Sequence, residues 1–359
     1  VAKQYKKIKI AIVGYKLAGG GLERVFSTVS NILQESDCEV YVIVLENEIE
    51  YSYSGTLVNL GNYSKFRKYF RLKSCLKSNQ FDFIIDFRHR LNPWMELLFM
   101  YYVYAGNKFI YTIHSSRVAV YLTSKDWIAS LILKKSYKIV TVSSTLKEIL
   151  NRQFQFNGSV AIPNSIPINF IEENCDNSHL PFQYCIAVGR LVELKQFDKL
   201  IDTYSKSILS SKEIHLVILG GGSEKAMLQK QIEQKQMSDF IHLLGFKNDA
   251  LSHIKNAKYL VLTSKYEGFP MVILEALSAG IPVIAFDCET GPSELIQNEY
   301  NGFLVENQNF KALEQALNRF ENDNQLYNLC KENSKASIAQ FSNEKVARKW
   351  LDLLNIKKN

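Results

Sequence analysis

The stretch that decides the fold is Tyr259-Leu-Val-Leu-Thr263-Ser264-Lys265-Tyr266-Glu267-Gly268-Phe269-Pro270-Met271-Val272-Ile273-Leu274-Glu275-Ala276-Leu277-Ser278-Ala279-Gly280-Ile281-Pro282. A β-rich run at Tyr259–Thr263 passes through a glycine- and proline-bearing turn into a helical pattern at Met271–Ala279, and a second β-rich run follows at Val283–Ala285. Strand, helix and strand at this spacing make a parallel βαβ unit. Glu275 stands in an otherwise apolar helix, where a carboxylate needs a partner.

The same alternation extends in both directions. On the near side, strands are expected at Cys185–Val188, His215–Leu219 and Ile241–Leu243, with helices at Phe197–Ile208, Glu224–Gln236 and Lys311–Glu321. The first half repeats the scheme. Its strands are expected at Ile8–Gly14, Val40–Leu45, Phe83–Phe87, Lys108–Ile113 and Ile139–Val142, and its helices at Leu22–Gln34, Tyr63–Ser78 and Leu146–Gln153. Short apolar strands alternating with helices predict an α/β protein of parallel sheets covered on both faces. Between the halves, Ile162–Phe182 holds Pro163, Pro167 and Pro181 without periodicity, as a linker would, so a boundary is expected between residues 168 and 169. Two doubly wound domains suit 359 residues.

Composition narrows the class. With 47% hydrophobic residues, 22% charged residues, 17 Gly and 7 Pro, the chain is globular rather than disordered or collagen-like. Its longest apolar run, Leu97–Ala105, is about half the length needed to cross a bilayer, and no secretion signal is expected. Cys38, Cys75, Cys175, Cys185, Cys288 and Cys330 form no Cys-x-x-Cys pair, which fits a reducing cytosol better than a zinc site or a disulfide framework.

The net charge of +7 is unevenly placed. Residues 1–170 hold 22 Lys+Arg against 12 Asp+Glu, and the rest of the chain is slightly acidic. Lys3, Lys6, Lys7 and Lys9 open the chain. Lys65, Arg67, Lys68, Arg71, Lys73 and Lys77 interleave with Phe66, Tyr69 and Phe70 at helical spacing. Such a helix suits an anionic membrane surface or is a solvated basic face; no nucleic-acid module accompanies it.

Three pieces carry chemistry. Gly14-Tyr-Lys-Leu-Ala-Gly19-Gly20-Gly21-Leu-Glu23-Arg24 is neither a dinucleotide fingerprint nor a P-loop, but it is a three-glycine turn into a helix, where bare backbone N–H groups suit a phosphate or a sugar. Gly189-Arg190, with Lys195 following, places two cations at a strand's carboxyl end, where they suit a diphosphate. Glu267 and Glu275 flank Gly268 at a helix N-terminus; a carboxylate there suits ribose hydroxyls and the helix end suits phosphate.

In this order, Gly189-Arg190, Lys195, the turn Gly220-Gly221-Gly222, Glu267-x7-Glu275 and Gly291-Pro292 resemble the retaining GT-B glycosyltransferases of family 4. The resemblance spans nearly the whole chain, from the Gly19-Gly20 loop to the closing helix Asn343–Leu354. It implies two Rossmann-like domains facing across a cleft, 1–168 on the acceptor side and 169–342 on the nucleotide-sugar side, with 343–359 packing back on the first.

Carried over residue by residue, the resemblance implies that Glu275 binds ribose, that Arg190 and Lys195 hold the diphosphate, and that Glu267 contacts the donor sugar. Gly189 belongs to the same clamp. The backbone around Gly268, Phe269 and Met271 would hold sugar and phosphates. Gly20 and Gly21 would close over the diphosphate, His114 would lie near the reacting sugar, and Phe246 would pack beside the base. The chain departs from the family at Gln196, where glycine is common, and at Ser223, which ends a turn that usually reads Gly-Asp-Gly-Pro.

The expected activity is transfer from a nucleotide-sugar, a UDP-sugar ahead of a GDP-sugar, to a lipid-linked or surface-polysaccharide acceptor such as lipopolysaccharide or capsule. No cofactor is expected, and no metal either, since no Asp-x-Asp occurs. The expected location is cytoplasmic, peripheral on the inner face of the membrane, with Lys65–Lys77 toward anionic lipid. A nucleotide-sugar epimerase of the same fold and a non-catalytic binding protein are the alternatives.

Overall fold

The computed structural model describes residues 7–167, 179–247 and 249–356. Lys3, Lys6, Cys175, the middle of the Ile162–Phe182 linker and the boundary expected between residues 168 and 169 lie outside the described residues. The chain divides into two compact units, Val1–Ser165 with Asn343–Asn359, and Ile166–Ser342.

The first unit is built on seven parallel strands: β1 (Lys9–Gly14), β2 (Glu39–Val44), β3 (Thr56–Asn59), β4 (Phe83–Asp86), β5 (Phe109–Ile113), β6 (Lys138–Thr141) and β7 (Ser159–Ala161). Their order in the sheet is β3-β2-β1-β4-β5-β6-β7. β1 is buried from Ile10 to Val13, as a strand covered on both faces must be. Helix α1 (Gly21–Glu35) turns Val25, Phe26, Val29, Ile32 and Leu33 inward, one apolar stripe at helical spacing. It is followed in chain order by α2 (Lys65–Asn79), α3 (Pro93–Leu98), which continues as a π-helical turn over Phe99–Val103, α4 (Val118–Leu122), α5 (Asp126–Lys135) and α6 (Ser144–Phe154).

The second unit repeats the plan with six parallel strands: β8 (Gln183–Val188), β9 (Ile214–Leu219), β10 (Ile241–Gly245), β11 (Leu260–Leu262), β12 (Val283–Asp287) and β13 (Gly302–Glu306). The order is β10-β9-β8-β11-β12-β13. Its helices are α7 (Phe197–Tyr204), α8 (Lys225–Gln234), α9 (Ala250–Lys255), α10 (Met271–Ser278), α11 (Pro292–Leu295), α12 (Phe310–Asn322) and α13 (Asn324–Ser337). The closing helix α14 (Asn343–Leu353) belongs to the first unit, where Val346 and Trp350 join a pocket with Val25, Val29 and His114.

The expected strands and helices all occur, with ends shifted by a few residues. The helix expected over Phe197–Ile208 stops at Tyr204, and the Ser207 hydroxyl donates back to the Tyr204 carbonyl. Three strands went unread, β3, β7 and β13, and each lies on a sheet edge where the apolar run is short or half exposed. Helices α3, α4, α5, α9, α11 and α13 also went unread: α3, α4, α9 and α11 are four to six residues long, and α13 buries only Leu326, Cys330 and Ser334 along its inner face. In both sheets the strand order reverses beside the first strand of the unit, β1 next to β4 and β8 next to β11. Crevices outside the carboxyl ends of such strand pairs are where ligands bind in open α/β sheets.

Candidate active site

In the second unit, the loops after β8, β9, β10, β11 and β12 meet at this reversal. Gly189 N donates to Leu219 O at 2.9 Å, Leu191 N to Gly221 O at 2.9 Å, and Gly220 N to Gly245 O at 2.9 Å. The turn Gly220-Gly221-Gly222 lies directly on the Gly189-Arg190-Leu191 backbone. A Cβ on Gly220 would stand 1.8 Å from Gly189 O, at a φ of +149°. No side chain fits there, which explains the glycine.

Lys195 is placed by its own backbone. Its short 3-10 turn, Glu193–Lys195, is tied to the loop after β11: Thr263 Oγ1 donates to Lys195 O at 2.8 Å, and Lys265 N to Leu194 O at 2.9 Å. The Lys195 side chain then passes over Gly189, where a Cβ would come within 3.2 Å of Lys195 Cε. Its Nζ reaches Glu267 Oε1 at 2.6 Å, with both side chains about five-sixths buried. An ammonium has three donors, so this bond leaves two for a ligand.

Gln196, where the family commonly has glycine, sits at φ +53° and ψ +40°. The position therefore does call for a left-handed backbone, and here a glutamine adopts it with its amide buried against that of Gln308.

Glu267 is held from behind: the Thr290 hydroxyl donates to its carbonyl oxygen. A Cβ on Gly291, at φ +96°, would stand 2.7 Å from Pro270 Cδ and 2.8 Å from Gly268 O, so the Gly291-Pro292 turn is the wall against which the Gly268 loop rests. Helix α10 starts from Pro270 with no side-chain cap. Its N-terminal dipole is thus open to an anion. Glu275 lies on the same helix and is nearly buried. The Phe269 ring packs edge-on against Phe341, and Phe246 stays largely exposed beside Gly221. Arg190 is exposed and makes no ion pair among the described residues. Burial, with the charge of Glu267 second, pushes the Cys288 thiol up to about 12, which removes it as a nucleophile.

In the first unit, Gly20 and Gly21 begin α1 without a side-chain cap, and a Cβ on Gly21 would meet nothing within 4 Å. His114 follows β5. Its ring lies 5.3 Å from that of Phe87 and 5.8 Å from that of Tyr121, and its Nε2 is buried with no hydrogen-bond partner. Burial lowers its pKa to about 3, with the charges of Arg90 and His89 adding to the effect. The imidazole is therefore neutral at physiological pH.

The predicted residues thus form two sets, one per unit. Gly189, Arg190, Lys195, Phe246, Gly268, Phe269, Met271 and Glu275 surround the Lys195–Glu267 pair or line the helix that follows it, and Gly20, Gly21 and His114 stand at the carboxyl edge of the other sheet.

Residues 19–170 match the family model described as Glycosyltransferase Family 4, and residues 177–337 match Glycosyl transferases group 1. The chain belongs to the GT-B glycosyltransferases of family 4. It is 25% identical over 375 residues to an uncharacterized glycosyltransferase of Haemophilus influenzae, covering 97% of this chain and 100% of that one. It is 26% identical over 369 residues to N-acetylgalactosamine-N,N'-diacetylbacillosaminyl-diphospho-undecaprenol 4-alpha-N-acetylgalactosaminyltransferase of Campylobacter jejuni, covering 96% and 99%. The crystal structure of Anabaena HepE in complex with UDP superposes with a TM-score of 0.77 at 17% identity, covering 97% of this chain and 100% of that one.

This family 4 glycosyltransferase also carries a charged cluster that the sequence reading passed over. After β4, Arg88 donates to Asp86 Oδ2 through Nη2 at 2.7 Å and through Nε at 3.1 Å, and Tyr104 Oη donates to the same oxygen at 2.9 Å. Arg88 also reaches Glu96 at 3.4 Å. Arg90 donates to the carbonyls of Asp86 and Tyr121 at 2.8 Å each. All four charged residues are buried, with Arg88 stacked on Phe99 and Arg90 on Tyr111. Burial opposes the charge on Arg88, but Asp86 and Glu96 more than offset it and hold its pKa well above the usual value. The one available signal was Phe87-Arg88-His89-Arg90, two arginines directly after an apolar strand.

Proposed function

We propose that this glycosyltransferase moves a sugar from a nucleotide-sugar, a UDP-sugar ahead of a GDP-sugar, to a hydroxyl of a lipid-linked or surface-polysaccharide acceptor, with retention of anomeric configuration and without a metal. The observation that carries the reading is the Lys195–Glu267 pair at 2.6 Å, set beside exposed Arg190 and the uncapped start of α10. Lys195 keeps one donor on Glu267 and turns the other two to the diphosphate, while Arg190 grips it through its fork. The second oxygen of Glu267 accepts from the donor sugar's hydroxyls, and Glu275 accepts from ribose. Gly189 and the backbone at Gly268, Phe269 and Met271 bring main chain close to phosphate and sugar. Phe246 packs beside the base.

As the glycosidic C–O bond breaks, negative charge grows on the leaving phosphate, and these cations and the helix end stabilise it where it develops. The acceptor oxygen forms its new bond to the same face of the sugar, and its proton passes to the departing phosphate. Gly20 and Gly21 serve the diphosphate, and neutral His114 serves as a hydrogen-bonding group for the sugar.

The Campylobacter relative, whose name specifies a diphospho-undecaprenol acceptor, supports the lipid-linked reading. The complex of Anabaena HepE shows that this fold seats UDP in that protein. Thermal shift with UDP and GDP, followed by a panel of nucleotide-sugars, tests the proposal. UDP is expected to raise Tm by mass action, and one donor to release nucleotide when an acceptor is present. Stabilisation by neither nucleotide, together with no release from any donor, would remove it.

A further inference from the structure

Beside the clamp lysine stands a residue with a left-handed backbone that is not glycine. Gln196 follows Lys195 directly, at φ +53° and ψ +40°, a conformation that a side chain disfavours and glycine takes freely. Strain of this kind persists only where the surroundings fix it, and it gathers at functional sites. A glutamine here must gain through its side chain what its backbone loses. Gln196 is 1% exposed, so every polar atom of its amide needs a partner inside the protein.

The amide satisfies both of its ends in one orientation. Its nitrogen then donates to Thr263 O at 2.9 Å, just past β11, and to Gln308 Oε1 at 3.1 Å, just before α12, and its oxygen accepts from Lys199 Nζ on α7 at 3.2 Å. Contact with Gln308 is kept in either orientation. Thr263 returns the bond, since its Oγ1 donates to Lys195 O at 2.8 Å. Lys195–Gln196 and Thr263 are thus joined in both directions, and Lys265 N adds a bond to Leu194 O at 2.9 Å. Further along that loop comes Glu267, whose Oε1 takes Lys195 Nζ at 2.6 Å. Gln308, itself at φ +65°, closes the arrangement from the solvent side.

We propose that Gln196, braced by Gln308, is a positioning residue: it fixes the Lys195 backbone so that Nζ meets Glu267 and the diphosphate of a nucleotide-sugar in one preset geometry. A lysine on a loose turn must surrender its freedom when the diphosphate binds, and a braced one has surrendered it beforehand. Glycine, which the family commonly has at this position, supplies the backbone angle without the brace. The ligand given to the pair rests on the transferase reading; the bracing of the loop does not.

Gln196→Gly removes the amide and the strain together, so Tm should change little. UDP affinity is expected to weaken about five- to tenfold by titration calorimetry, with uridine affinity unchanged, because uridine has no phosphate for Lys195. GDP and guanosine are run in parallel. Gln308→Ala, which loses only the outer partner, should weaken UDP binding about two- to threefold, and Gln308→Glu, which keeps an oxygen for the Gln196 nitrogen, should restore it. Hydrogen exchange reads the loop without ligand. The amides of Lys195, bonded to Val192 O, and Lys265, bonded to Leu194 O, should exchange at least about tenfold faster in Gln196→Gly, while those of β8 stay as in wild type. Unaltered exchange would overturn the bracing. Faster exchange with UDP held as tightly as by wild type would overturn its role toward the diphosphate. Equal losses for UDP and uridine, or a fall in Tm with both affinities intact, would reduce Gln196 to a structural residue. If wild type binds neither nucleoside diphosphate, the donor reading fails and exchange alone decides the brace.

Discussion

Just past the carboxyl end of β4, two arginines are sealed inside the first unit; at the matching end of β8 in the second unit, one arginine stands in solvent. Both loops follow a strand next to a reversal of sheet order, so topology does not separate them. Partners do. Arg88 and Arg90 are occupied by Asp86, Glu96, three carbonyl oxygens and two aromatic faces, and Arg90 Nε, which makes no hydrogen bond, is itself buried. Arg190 has no ion pair among the described residues, and Lys195 spends one of its donors on Glu267. Position at a switch point nominates a residue for function, and unspent hydrogen-bonding capacity decides between nominees.

Removing one cation from each loop would break this contrast if it is wrong. Arg88→Met leaves buried Asp86 and Glu96 with Arg90 as their remaining counter-charge, and losing one partner of a buried ionic cluster costs about 3–5 kcal/mol. Urea denaturation is expected to show that loss, with turnover per folded molecule near wild type. A variant of normal stability that has lost transfer would move the β4 loop into the site. Arg190→Ala should do the reverse. Transfer is expected to fall about 10²- to 10³-fold, as when a group stabilising transition-state charge is deleted. Stability should stay within roughly 0.5 kcal/mol of wild type, because the side chain is exposed. Unchanged transfer would exclude Arg190 from the clamp.

The same contrast explains what the sequence could disclose. Continuous apolar strands such as Ile10–Val13 and Val283–Ala285 announce two-sided burial, and their alternation with amphipathic helices leaves little freedom in the fold. Edge strands β3 and β7 escaped because a partly exposed strand of three or four residues needs no apolar run, and β13 because its run is only Phe303–Val305. At the site, Arg190, Lys195 and Glu267 were legible because they follow strands at fixed spacing, but their pairing was not. Seventy-two residues separate Lys195 from Glu267, and only the sheet brings them to 2.6 Å. Arg88 and Arg90 were passed over for the converse reason: Glu96, which accepts from Arg88, and Tyr104, which donates to Asp86, come from a helix and a turn whose pattern reads simply as apolar. Phe66 and Phe70 were legible among the lysines and arginines of α2, whereas the exposure of Trp94, Tyr101 and Trp127 was not, since apolar letters do not say which of them face out.

His114 stands between the two cases, at a strand end like Arg190 and buried at Nε2 like Arg88, and pH can place it. Its folded-state pKa is about 3, whereas in the unfolded chain it titrates near 6.5. Between those values the unfolded state binds the extra proton, so the stabilisation present above pH 6.5 is lost as pH falls toward 3. The loss amounts to at most about 1.4 kcal/mol per pH unit for one proton. Wild type is therefore expected to lose stability faster than His114→Gln between pH 6 and about 4, read as the difference in urea midpoints. A ring that stays neutral also contributes no ionisation to transfer, so log kcat/KM should lack an inflection from His114 near pH 6.5. An inflection there that vanishes in His114→Gln would show that the ring takes up a proton in the folded enzyme. His114 would then belong with the solvated, ligand-facing charges of the second unit rather than with the sealed cluster of the first.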